Sequence, residues 1–176
     1  MKFRTVASIS SRDKAVLLNE LESILNFYEA KDYVITDVHA DHEFQYIRED
    51  IIPIELDVCA PDDHVHEVER SIRTVKERVR CTSHSFPFKR IPRVMVRAIV
   101  EKAVRDLNQF PAKDGIANNR SPLTIMTGKP FHDYNTLLLE FGIYVHIFED
   151  NDPTNTTRAR TTPSIALNPT GNAQEG

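Results

Sequence analysis

The sequence predicts an α/β fold, with a mixed or parallel sheet flanked by helices. Short β-branched runs alternate with amphipathic stretches in the order strand, helix, strand, helix, strand, and further helices come after them. The helical stretches carry apolar residues at steps of three and four. The chain has 176 residues, 40% of them hydrophobic and 27% charged, enough for one domain with a sizeable core or one domain plus an appendage.

Phe3 to Ile9 reads as a short strand. Ser10 stands three residues before Asp13, a capping-box-like start for a helix reaching about Ala30. Leu17, Leu21, Ile24 and Tyr28, with Leu18 and Leu25 beside them, give it a wide apolar face. Tyr33 to Val38 is the second strand, left through Ala40-Asp41-His42-Glu43-Phe44, and a short helical piece precedes a third strand at Ile54 to Val58. A long helix then starts near Asp62 or Asp63, either of which can cap it. Pro87 and Pro92 bracket a turn before an amphipathic helix from Arg93 to Phe110, which Pro111 ends. Asp114-Gly115 and Asn118-Asn119 mark a loop, and Ser121-Pro122 opens a short helix that stops at Gly128. Phe141 to Glu149 reads as a strand, and from Asp150 the chain turns polar, with Ser164 to Leu167 as its only later apolar hint. There is no internal repeat.

No apolar run approaches the length of a membrane span, and the first residues lack the apolar core of a signal peptide. Two cysteines make no disulfide framework, so a reduced, intracellular protein is expected. Five glycines include no Gly-rich loop for a nucleotide, and no Ser or Cys nucleophile motif is present. The net charge is −4, but it is unevenly spread. Residues 64–105 hold eleven Lys/Arg against four Glu, whereas residues 1–63 hold six basic and fourteen acidic side chains. A confined basic patch suits a phosphate-binding surface. Its plainer reading is a set of solvated helix cations.

That patch centres on His64 to Arg80. Val65, Val68, Ile72, Val75 and Val79 form one apolar stripe, and beside it runs His66, Glu69, Arg73, Lys76 and Arg80. One carboxylate thus heads a line of cations, a face suited to a metal at one end and phosphates along the rest. In open α/β sheets, ligands gather at the carboxyl ends of strands. Asp41 lies just past one strand end and Glu69 on the helix after the next strand, so the two carboxylates are expected to converge. Without that, Asp41 is a turn former and Glu69 an i,i+4 partner of Arg73. Glu43 and Glu67 read as solvated acids. His39, His42, Cys59, His64 and His66 invite a zinc site, but their spacing fits no familiar zinc pattern, and Cys59 reads better as a small buried hydrophobe.

Asp41-His42-Glu43-Phe44 with the later His64-Val65-His66-Glu67-Val68-Glu69-Arg70 resembles the catalytic core of integrases from copia-type long-terminal-repeat retrotransposons. The stretches Leu107 to Pro111, Ser121-Pro122 through Thr127-Gly128-Lys129-Pro130, Phe141 to Val145, and Ile165 to Asn172 resemble the segments downstream of that core in the same Pol polyproteins. The resemblance implies a ribonuclease-H-like mixed sheet flanked by helices, and a D,D,E site that holds two Mg²⁺ or Mn²⁺ ions for in-line attack on a DNA phosphodiester. Asp41 matches the second Asp and Glu69 the Glu, as catalytic and metal-binding residues, while Arg70, Arg73, Lys76 and Arg80 would neutralise phosphates of element-end and target DNA.

Three departures accompany the match. The chain starts at the family's third strand, so the first two strands and the initial Asp are expected to be missing; Asp13 cannot replace that Asp, because it caps a helix. His42 stands where the family usually has Gly, and the upstream His/Cys zinc module is missing. The resulting expectation divides the chain into a partial core over 1–110, a post-core region over 111–149, and a polar, partly disordered tail over 150–176, together an irregular C-terminal extension. Such a fragment is expected to be inactive alone, of low stability, prone to self-association, and nuclear by family implication. The alternative is a non-catalytic nucleic-acid-binding or protein-interaction remnant that uses only the basic helices; a third reading is a degenerate open reading frame with no function.

Overall fold

The computed structural model describes residues 2–59, 66–113, 115–128, 139–148, 157 and 159–168. Its elements run α1 (Lys14–Glu29), β1 (Asp37–Ala40), a 3-10 helix (His42–Ile47), β2 (Glu55–Val58), α2 (His66–His84), α3 (Arg93–Gln109), α4 (Pro122–Thr127), β3 (Tyr144–Phe148) and β4 (Thr161–Ile165). The class is mixed α and β, with the strands in two small sheets in place of one: β1 pairs with β2 in parallel, and β3 with β4 antiparallel.

Most helices obey their sequence signals. α1 begins after Asp13, whose side chain makes no cap bond to the helix and instead accepts from Ser11 Oγ at 2.6 Å, which corrects the capping-box reading. α1 ends where Asp32 takes a left-handed φ of 61°, with Tyr33 N–H donating to the Tyr28 carbonyl. Asp tolerates that conformation better than most residues. α4 has Ser121 at its N-cap, accepting from Thr124 N at 3.0 Å, Pro122 in its first turn, and Gly128 at its left-handed end. The expected start of α2 at Asp62 or Asp63 lies outside the described residues.

Phe3 to Ile9 is not a strand. It joins no ladder among the described residues. Arg4 N–H donates to Asn108 Oδ1 at 2.9 Å, and Asn108 Nδ2 donates to the Arg4 carbonyl at 2.7 Å. Phe3 meanwhile stacks on Phe27 and meets the edge of Tyr28. The segment therefore bridges α1 and α3 through side chains, and the alternation that suggests a strand serves this bridging.

One core lies under the parallel pair: Ile47, Ile51 and Leu56, packed by Leu18, Leu21, Val38, Phe44 and Val58. The opposite face of the pair carries exposed Asp37, His39, Glu55 and Asp57, so this parallel sheet is covered on one side and wet on the other. His39 faces Asp57 in register, and Nδ1 meets Oδ2 at 2.8 Å. A second core joins Met95, Ala98, Ile99 and Phe141, with Val79, Phe86, Phe88, Ile91 and Leu167 against it. It seats the base of the β3–β4 hairpin on α3. β4 itself corrects the expectation that this part of the extension is irregular; Asn168, just beyond it, donates from Nδ2 to the Ala98 carbonyl at 2.8 Å. Among the described residues, no helix is long and apolar enough to cross a membrane.

Candidate nucleic-acid interface

Asp41 sits immediately past the carboxyl end of β1 and is exposed. Its Oδ1 accepts from His42 N–H at 2.7 Å, so its carboxylate caps the 3-10 helix. His42 opens the 3-10 helix, a turn that needs no glycine. The chain enters a right-handed helical turn there, and Asp32 is the one described non-glycine residue with positive φ. Glu43 pairs with Arg12 at 2.6 Å, an exposed bridge worth little by itself.

Glu69 is exposed in the first turn of α2, with Glu67. Acids there suit the positive end of the helix dipole. The cations come next on the same helix: Arg70, Arg73, Lys76 and Arg80 are all exposed, spread over about 15 Å of helix axis. α2 packs on α3, while β1 packs on β2 and the 3-10 helix packs against both β2 and α1.

Among the described residues no group of three His, Cys, Asp or Glu converges, and Asp41 Oδ1 accepts from the His42 amide. Of the residues that suggest zinc, His39 is paired with Asp57, Cys59 is half-buried with a free thiol, and His66 is exposed. His64 lies outside the described residues.

What the structure does assemble is a groove. The N-terminal segment, α2, the second half of α3 and the residues just after it enclose about 1520 Å³. Arg70, Lys76 and Arg80 line it, as does Arg78; Arg73 and Glu69 do not. The expected charged row is therefore split, part of it bordering the groove and part lying outside. Arg4 also contributes: its Nε donates to Ser71 Oγ at 2.9 Å, which ties the N-terminal segment to α2. Neither Arg4 nor Arg78 is singled out by the sequence, since Arg4 precedes any helix and Arg78 falls off the three-four spacing of its neighbours. Behind the groove, Arg105 is pushed below its ordinary pKa by burial, with Asp106 and Glu101 pulling the other way.

No protein-family model matches this chain, and no curated protein matches it either.

Proposed function

We propose that the chain is a piece of a copia-type integrase core and that it binds the DNA backbone through the exposed cations of α2. The observation that carries this reading is the parallel β1–β2 pair, which sets Asp41 at the carboxyl end of β1. Glu69 stands at the head of the next helix, ahead of Arg70, Arg73, Lys76 and Arg80. This is the order that a D,D,E site requires, in a ribonuclease-H-like frame acting on nuclear DNA. The cations contact phosphates, so binding is expected to show little sequence preference. No catalytic step is assigned to these residues, which would supply two carboxylates of the family's three.

Binding to a random-sequence duplex, measured by fluorescence anisotropy across a salt series, tests the reading. Log affinity should fall with log salt at a slope of about −3 to −4 if all four cations meet phosphates. Arg73→Gln and Lys76→Gln should each flatten the slope by about 1. Asp41→Ala and Glu69→Ala should leave affinity within about twofold, and the 176 residues should give no strand transfer with Mg²⁺ or Mn²⁺. A flat salt response would defeat the DNA assignment, and strand transfer would defeat the inactive one.

A further inference from the structure

We propose that the groove between α2, α3 and the N-terminal segment is a docking site for an acidic amphipathic helix of a partner protein. The floor is aliphatic: Val68, Ile72 and Val75 of α2 face the cavity with Val104 and Leu107 of α3. α2 has no buried residue, and Val68 and Ile72 are each 47% exposed, although they belong to its apolar stripe. Among the described residues that stripe is half-covered, and its open part faces the groove.

Charge selects the occupant. Among the described residues, seven cationic side chains line the groove against two acids, Glu67 and Asp106, and Asp106 is already bound to Lys102. An anionic ligand is favoured, and its body must be apolar to match the floor. Nucleic acid meets the first condition and fails the second, since bases stack on aromatic faces. Of the two aromatic residues in the lining, Phe3 is engaged with Phe27 and Tyr28, which leaves Phe110. A second copy docked symmetrically would set this basic rim against itself, and like charges across an interface are costly. A helix with an apolar stripe and acidic flanks satisfies both demands. At a diameter of about 10 Å with its side chains and a rise of 1.5 Å per residue, a helix of roughly a dozen residues matches the 1520 Å³ of the cavity.

The proposal does not rest on the DNA assignment; Arg70, Lys76 and Arg80 belong to both, and the aliphatic floor is what separates them. The probe is a fluorescent helical peptide with Leu at i, i+3, i+4 and i+7 and Glu on its flanks; the control is its scrambled isomer, with the same charge and no stripe. The expected result is at least a tenfold preference for the amphipathic peptide, with amide shifts confined to α2, the end of α3 and residues 2–6. Ile72→Gln should erase that preference while leaving duplex DNA affinity unchanged. Phe110→Gln, at a side chain 56% exposed, repeats the test from the other wall should Ile72→Gln perturb folding. Equal binding of the two isomers would overturn the proposal. So would a dimer dissolved by Ile72→Gln in sedimentation, or a DNA affinity that falls with the same substitution, since these would assign the groove to a second copy or to nucleic acid.

Discussion

Asn108 supplies Arg4 with the two hydrogen bonds that a neighbouring strand would. Its amide is 5% exposed, and it accepts from the Arg4 N–H and donates to the Arg4 carbonyl. Truncation to Asn108→Ala leaves both backbone groups without these partners, at a cost of about 1–3 kcal/mol. The Arg4 amide should then lose hydrogen-exchange protection ahead of the rest of the chain; exchange that stays unchanged would show that the bridge is held elsewhere. Two glycines make a matched pair. Gly142, at φ 85°, would put a Cβ 2.5 Å from the Phe86 ring, whereas Gly128, at φ 67°, has nothing within 4 Å of that point. Gly128→Ala therefore carries the left-handed penalty alone, about 1 kcal/mol, and Gly142→Ala carries that penalty plus a collision with the second core. Thermal melts should rank Gly142→Ala well below Gly128→Ala. The sequence marks Gly128 as a helix stop. It does not mark Gly142, because the ring that crowds it lies on the far side of α3 in the chain.

At the scale of elements, amphipathic spacing and punctuation carry the prediction, and they fail where pairing depends on partners far along the chain. α1, α3 and α4 each fall within a residue or so of their signals, because the periodic stripe, Pro111, Ser121 and Gly128 act locally. β4 escapes because Pro163 interrupts it, yet each strand of a two-stranded sheet is an edge, and edges tolerate proline. The second strand is read from the sequence at Tyr33 to Val38, but the ladder holds Asp37–Ala40, because its start and end are set by the partner Glu55–Val58. What local spacing cannot foretell is which strands lie side by side. α1 adds a pH-dependent element. Tyr28 sits among Phe3, Phe27 and Tyr33, and burial raises its hydroxyl pKa above 10.0. The unfolded chain then releases this proton first as pH climbs past the ordinary value, so the stabilisation is complete below it and is lost as pH rises through the folded-state value. Denaturation midpoints between about pH 9 and 11 should fall less steeply for Tyr28→Phe than for the parent. Parallel curves would place the phenol in a solvent-like setting.

Among the described residues, Ile47, Leu56 and Ile99 are the large side chains buried completely, while Val34, Ile52 and Ile116 are mostly open to water. The hairpin turns Tyr144, His146 and Phe148 outward on one strand, opposite Ile165, Pro163 and Thr161 on the other, and all six are exposed. A hairpin with such a face is marginal by itself and offers apolar surface and open edges to another copy. The expected behaviour is a broad, shallow melt and a sedimentation coefficient that rises with concentration. Replacing Tyr144 and Phe148 with Ser should reduce that association. Because these side chains are 63% and 65% exposed, the pair of changes should alter monomer stability by no more than about 1 kcal/mol. Association through the hairpin leaves the basic groove of each copy open, so peptide binding there should persist in the associated state. A sharp, cooperative melt of a strictly monomeric protein would contradict this account.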